Sequence, residues 1–159
     1  MVRAYIGLGS NLDEPINQVN RALTELRTLS ESHLVSHSRL YSSTPLGPAD
    51  QPDFVNAVAC LDTSLGAHSL LDELQALELK HERVRIQHWG PRSLDLDLLL
   101  YADHTIDTER LQVPHPWLSQ RCFVLYPLAE IAADLMLPSG ISLASLLPLC
   151  DATGLETLA

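Results

Sequence analysis

Apolar positions along this chain follow two periods. From Val2 to Ser10 they alternate, with Ala4, Ile6 and Leu8 on one side and Tyr5, Gly7 and Gly9 on the other, which is the period of a strand. Two glycines on one face leave room for close approach by a backbone or a ligand. Asn11-Leu12-Asp13-Glu14-Pro15 then opens a helix, with Asp13 as candidate N-cap and Pro15 near the first turn. Val19, Leu23, Leu26 and Leu29, with Ala22 alongside, give that helix its apolar stripe. His33 to Ser43 is β-like, and Phe54 to Leu61 is a strand that puts Phe54, Asn56 and Val58 on one face. Ser69 to about Val84 has helical spacing in Leu70, Leu74, Leu77 and Val84. Leu71, Gln75 and Glu78 form an adjoining face. Asp95 to Leu100 closes the regular part as a strand. A short extended piece lies around Thr105-Ile106. Trp117 to Ala132 is predicted helical with a break near Pro127, and a short apolar helix follows near Leu143–Leu149. The segment after Pro138 carries no recognisable chemistry.

The predicted order is βαββαβ with a helical and irregular tail. It suits an α+β fold, a ferredoxin-like sandwich with an antiparallel sheet and helices on one face. At 159 residues one domain spanning 1–159 is expected.

Composition narrows the function more than the fold. The 10 basic side chains face 20 acidic ones, a formal net charge of −10. That argues against nucleic acid or an anionic membrane as partner but leaves room for a local arginine cluster. Cys60, Cys122 and Cys150 are far apart and odd in number, so no disulfide framework or zinc spacing follows. Free thiols in a reducing cytosol are expected. The start lacks a signal-peptide pattern and no apolar run is long enough for a membrane span, so the expected location is cytoplasmic.

Candidate chemistry centres on Trp89-Gly90-Pro91-Arg92-Ser93-Leu94-Asp95-Leu96-Asp97. On a strand Asp95 and Asp97 point the same way, opposite Leu94, Leu96 and Leu98. Two carboxylates among leucines need a cation, unless they lie on a solvent-facing edge. Mg²⁺ takes oxygen ligands and is usually held by one or two carboxylates plus substrate phosphates. Arg92 suits the phosphate charge left uncovered. Thr44 to Asp53 holds three prolines and a glycine, a loop of few conformations. Phe54 beside Asn56 could stack a planar ring and read its edge, or be a core phenylalanine and an edge amide. Arg83 and Arg85 are either phosphate ligands or partners of the helix C-terminus. His115, between prolines, is a candidate phosphate donor.

These residues form a pattern. Gly7-Leu8-Gly9-Ser10-Asn11-Leu12, Pro45-Leu46-Gly47-Pro48 with Gln51-Pro52-Asp53-Phe54-Val55-Asn56, Arg83-Val84-Arg85 leading to the Trp89–Asp97 block, Val113-Pro114-His115-Pro116 and Arg121-Cys122-Phe123 together resemble the 6-hydroxymethyl-7,8-dihydropterin pyrophosphokinases of folate biosynthesis. The resemblance runs to about Pro138. It implies transfer of pyrophosphate from ATP to the pterin hydroxymethyl group, with release of AMP. It implies that Asp95 and Asp97 hold two Mg²⁺ ions. Phe54 and Phe123 would sandwich the pterin, and Asn56 with the backbone of Thr44, Pro45, Leu46 and Gly47 would read its edge. Trp89 would close over the site, and the segment from Arg85 to Arg92 would close when both substrates bind. Arg83, Arg85, Arg92, His115 and Arg121 would meet phosphates. Leu71, Gln75, Glu78, Leu98, Leu111 and Gln112 would line the nucleotide side. A monomer with no partner beyond ATP and the pterin is expected. The chain departs from the family at His88, where a second basic residue is common, and at Pro116, where an aromatic is.

Two other readings remain open on the residues alone. A nucleotidyltransferase also joins Gly-Ser to an Asp-x-Asp strand, but with the two elements close in sequence, and here Ser10 and Asp95 are far apart. A non-catalytic binding domain would leave Asp95, Asp97, Arg83 and Arg92 without a reason to converge.

Overall fold

The computed structural model describes residues 1–12, 14–44, 53–82 and 93–158. In chain order the elements are β1 (Val2–Ser10), α1 (Pro15–Leu26), β2 (Ser32–His37), β3 (Tyr41–Ser43), β4 (Phe54–Thr63), α2 (Ala67–Glu82), β5 (Asp95–Tyr101), β6 (Ile106–Asp107), β7 (Gln112–Val113), α3 (Cys122–Ile131), α4 (Leu143–Leu146) and β8 (Glu156–Thr157). A 3₁₀ turn precedes α3 at Leu118–Gln120, and another follows α4 at Leu147–Leu149. The main sheet runs β5-β1-β4-β3-β8, with β2 also paired to β4, and its pairings are antiparallel. β6 and β7 form a separate ribbon.

Alternation along the strands builds two cores, one on each sheet face. Ala4, Ile6 and Leu8 of β1 and Leu96 and Leu98 of β5 pack with Val19, Leu23 and Leu26 of α1 and Leu70 and Leu74 of α2. Tyr5, Val58, Cys60 and Leu99 pack on the other side with Leu125 and Leu128 of α3 and with Leu143 and Leu146 of α4. The expectation of helices on one face is therefore corrected. The apolar tail has its own sheet face to cover, because β1, β4 and β5 are apolar on both sides.

Three local readings also change. The β-like run from His33 to Ser43 is two strands, because Ser38 interrupts it. Its buried hydroxyl accepts the Val58 amide at 3.0 Å and donates to the Arg39 carbonyl at 2.7 Å, so a side chain replaces one ladder bond. α3 runs through Pro127 instead of breaking there. Proline costs it one amide, so the Phe123 carbonyl has no i+4 N–H to accept, while the Pro127 ring is buried in the core. Finally, Cys122 and Cys150 are joined in a disulfide, against the expectation of free thiols. Their separation of 28 residues carries no spacing signal, yet the start of α3 and the turn after α4 converge. Cys60 is free and buried. The proposed N-cap Asp13 lies outside the described residues, and Glu14 occupies the cap position in a left-handed conformation without a side-chain cap bond.

The two long helices are tied by a buried polar cluster. His81 lies with Nδ1 2.5 Å from Gln18 Oε1 and Nε2 2.5 Å from Glu25 Oε1. Lys80 reaches the second Glu25 oxygen at 3.2 Å. Burial pushes the Glu25 carboxyl up, but the His81 and Lys80 hydrogen bonds and the nearby Arg21 charge outweigh it and hold it below the ordinary 4.5. A depressed carboxyl contributes stability that is present above the ordinary value and lost as pH falls through the lowered one. Glu25→Ala should therefore cost about 1–3 kcal/mol at neutral pH by stranding the buried His81 ring. It should also flatten the acid dependence. Chemical denaturation as a function of pH checks this: parallel acid profiles for the two proteins would contradict it.

Candidate active site

The geometry starts from β1. Its register sets Gly9 opposite Asp95 and Gly7 opposite Asp97 on β5, and Gly9 opposite Asn56 on β4. Two glycines thus occupy the strand between the carboxylates and the amide. A Cβ on Gly9 would lie 3.3 Å from Asn56 Oδ1, and one on Gly7 would lie 3.4 Å from the Leu99 side chain. Without side chains on this strand, the face is an open floor. A register shift between Tyr5 and Ile6 ends the simple alternation beyond it, so Leu99 and Leu100 both join the second core.

A cavity of about 280 Å³ sits on that floor. It is lined by Gly7 and Gly9, by Asp95 and Asp97, by Phe54 and Asn56 at the start of β4, by Ser43 and Thr44 at the end of β3, and by Arg121, Phe123 and Val124 at the start of α3. Asn56 is buried and donates to Ser43 Oγ at 2.7 Å, which fixes its amide orientation. The Arg121 guanidinium lies 5.6 Å from the centre of the Phe123 ring. Glu130 Oε1 accepts from Tyr41 Oη at 2.6 Å and Glu130 Oε2 from the Arg39 amide at 2.8 Å, so α3 is fastened to β3 across this cavity's walls.

A second cavity of about 310 Å³ adjoins it. Leu71, Leu96, Leu98, Leu111, Gln112, Arg110 and His115 line it, and Asp97 belongs to both. The His115 amide donates to the Leu99 carbonyl at 3.0 Å, which lays this segment along the outer edge of β5. Burial pulls the His115 imidazole below the ordinary 6.5, the Asp97 charge opposes that, and Arg121 adds to it. The Trp117 amide donates to its Nδ1 at 3.2 Å, so a neutral ring carries its proton on Nε2.

The structure thus brings Thr44, Phe54, Asn56, Asp95, Asp97, Arg121 and Phe123 onto one cavity and Leu71, Leu98, Leu111, Gln112 and His115 onto the other. Arg121 lies on the aromatic side, not among the nucleotide-side residues. Gln75 and Glu78 are not among the lining residues. Gln75 accepts from Arg110 at 3.1 Å, and Arg110 also donates to Asp72 at 2.6 Å. Glu78 accepts the Leu96 amide at 2.8 Å, a bond the edge strand β5 has no further strand to supply. Pro45, Leu46, Gly47, Arg83, Arg85, Trp89 and Arg92 lie outside the described residues. Sequence reasoning missed Ser43, Val124 and Arg110. The first two sit one residue beyond predicted ones, and Arg110 becomes visible only when β6 and β7 pair.

Gly9→Ala should raise the concentration of planar substrate needed for half-saturation by about tenfold, the worth of one displaced hydrogen bond of roughly 1–1.5 kcal/mol. The requirement for a substrate of the second cavity should change little, because Gly9 does not line it. Steady-state kinetics with each substrate varied checks this, and equal changes for both would contradict it.

Comparison with known proteins follows this geometry. A model of the 7,8-dihydro-6-hydroxymethylpterin-pyrophosphokinase (HPPK) family matches residues 5–133. The 2-amino-4-hydroxy-6-hydroxymethyldihydropteridine pyrophosphokinase of Pseudomonas aeruginosa is 54% identical over 156 residues, covering 98% of this chain and 96% of that one. Its Haemophilus influenzae counterpart is 53% identical over 140 residues, 88% of each chain. Among solved structures, Plasmodium falciparum HPPK-DHPS superposes over 94% of this chain with a TM-score of 0.72 at 13% identity. The chain spans 43% of that structure, and the likeness speaks to the fold alone. With matched sequence running through every strand and helix that lines the two cavities, the chain belongs to the HPPK family.

Proposed function

We propose that this chain transfers pyrophosphate from ATP to the hydroxymethyl group of 6-hydroxymethyl-7,8-dihydropterin, giving AMP and the pterin diphosphate for folate biosynthesis. The observation that carries the reading is the meeting of two unlike cavities at Asp97. One offers aromatic rings and a fixed amide, as a planar hydrogen-bonding heterocycle requires. The other offers leucines and a histidine, as an adenosine with trailing phosphates requires.

Asp95 and Asp97 suit Mg²⁺. Both are partly buried, share one strand face, and stand over glycines that leave space for an ion with its waters. With two carboxylates from the protein, the rest of the ion's coordination would fall to substrate phosphates and water. Held by Asp95 and Asp97, Mg²⁺ would supply charge neutralisation at the phosphates and Lewis-acid polarisation of the phosphoryl group. The protein's own part is positioning. Phe54, Phe123 and Asn56 orient the ring so that its hydroxymethyl group points towards the carboxylates. His115 presents a neutral N–H to phosphate oxygen, and Arg121 adds charge from the pterin side. The leucines of the second cavity hold the adenosine, leaving the β-phosphorus near Asp97. Such transfer draws its acceleration from alignment and charge stabilisation.

The strand order supports a ferredoxin-like arrangement of the long strands, and two cores on one sheet suit a single pyrophosphokinase domain over 1–159. A monomer acting in the cytoplasm, where ATP is abundant, fits this chemistry. Phosphorus NMR of a reaction with ATP, Mg²⁺ and the pterin tests the activity. The expected products are AMP and a pterin carrying two coupled phosphorus atoms. ADP with a pterin monophosphate, or free pyrophosphate with a nucleotidyl-pterin, would overturn it.

A further inference from the structure

The segment after α4 has no role in the reaction, yet it touches both walls of the aromatic cavity. Cys150 is bonded to Cys122 in the first turn of α3, next to Arg121 and Phe123, and Cys150 and Phe123 pack against the same core. From there the chain turns through Asp151, whose Oδ1 accepts from the Thr153 amide at 3.0 Å and its hydroxyl at 2.6 Å. Gly154 follows with φ +85°, so close to the opposite wall that a Cβ would lie 2.9 Å from Thr44 Oγ1. β8 then adds to β3, with Tyr41 opposite Thr157 and Ser42 opposite Glu156, and the Leu158 amide donates to the Leu40 carbonyl at 2.8 Å. The short run from Cys150 to Leu158 thus spans from the Phe123 wall to the Ser43–Thr44 wall.

We infer that Cys150–Leu158 is a strap that holds the two walls of the aromatic cavity at ring-binding distance, and that the Cys122–Cys150 pair is its thiol–disulfide fastener, tightening pterin binding when oxidised. This rests on the reading of that cavity as the pterin site. Both cysteines are only partly buried, whereas Cys60 is 3% exposed and out of reach. Cys122 opens α3, directly after Arg121 at the cap position. The co-reactant is a small-molecule disulfide of the glutathione class. The Cys122 thiolate attacks one of its sulfurs, forming a mixed disulfide and expelling one thiolate. The Cys150 thiolate then attacks the Cys122 sulfur, closing the protein disulfide and expelling the second. Two protein thiols are oxidised, one small disulfide is reduced to two thiols, and the two protons pass to the leaving thiolates. Reduction by a dithiol reverses each step and frees the strap at one end.

The test compares full-length protein oxidised with glutathione disulfide and reduced with dithiothreitol, the state read from intact mass. Calorimetry measures 6-hydroxymethylpterin, whose aromatic ring these thiols leave unchanged, and a non-hydrolysable ATP analogue with Mg²⁺. The oxidised protein should bind pterin about tenfold tighter, within the usual range of coupling between sites, with the nucleotide affinity unchanged. Cys122→Ser and Cys150→Ser should sit at the reduced value in both conditions, and Cys60→Ser should keep the response. Hydrogen exchange at residues 42–44 and 123–125, measured without ligand, should quicken on reduction. Equal pterin affinity in the two states, or equal changes for both ligands, would overturn the fastener. Unchanged exchange would overturn the strap whether or not pterin binds, whereas faster exchange with no pterin binding in either state would support the strap and refute only the pterin reading.

Discussion

Asp97→Ala lowers pyrophosphate transfer by about 10³-fold or more, the upper range for losing one preorganised electrostatic partner, while the protein stays folded. Asp95→Ala does the same. The reason lies in the register: both carboxylates stand on the open face of β5 opposite glycines, partly buried but outside both core clusters, so truncation leaves no hole in either core. What disappears is the charge proposed to anchor the metal and, through it, the phosphates. The two variants differ in one respect. Asp97 lines both cavities and Asp95 only the aromatic one, so Asp97→Ala should also weaken Mg²⁺-dependent binding of an ATP analogue. Steady-state transfer with Mg²⁺ as the only metal, alongside a thermal unfolding midpoint, checks both claims. Near-normal turnover in either variant would remove that carboxylate from the reaction.

Phe123→Ala and Asn56→Ala weaken pterin binding far more than ATP binding. Phe123 stands at the start of α3 facing the cavity, with Arg121 over its ring. Its loss removes one stacking surface and one support for that cation. Asn56 is buried, oriented by Ser43 and lines the cavity, where the pterin edge is proposed to meet its remaining hydrogen-bonding capacity. Leaving that polar edge unmatched costs roughly 1–3 kcal/mol, about fivefold to 150-fold in affinity. Neither residue belongs to the second cavity. Calorimetric titration with each ligand separately gives the comparison. Equal losses for pterin and nucleotide would place these residues outside the pterin pocket.

How far the sequence reaches depends on how local the signal is. Strand alternation in Val2–Ser10 and Asp95–Leu100 is local, and it correctly puts Gly7, Gly9, Asp95 and Asp97 on faces that pairing later joins. Phe54 and Asn56 are two apart on one strand, so their shared face is also legible. The second sheet face is not. Nothing near Leu143 or Leu146 says that these leucines cover Tyr5 and Val58, since that contact depends on the path of the whole tail. The same holds for Cys122 with Cys150, which only the converging α3 and α4 bring together. Ser38 shows a subtler limit: a hydroxyl replacing one ladder bond leaves no mark on hydrophobic periodicity. Helical spacing puts Glu78 on a face beside the apolar stripe, and only the family resemblance makes that face line the nucleotide; the side chain accepts an edge-strand amide, an alternative that opens once β5 is known to be the sheet's edge.

The central claim is that pterin and nucleotide occupy separate cavities that meet at Asp97. A crystal structure with 6-hydroxymethylpterin, a non-hydrolysable ATP analogue and Mg²⁺ tests it most directly. The pterin should lie between Phe54 and Phe123 with its edge on Asn56, the adenosine against Leu71, Leu98 and Leu111, and the metal on Asp95 and Asp97. A pterin outside the Phe54–Phe123 cavity, or a metal that leaves both carboxylates uncoordinated, would contradict the account.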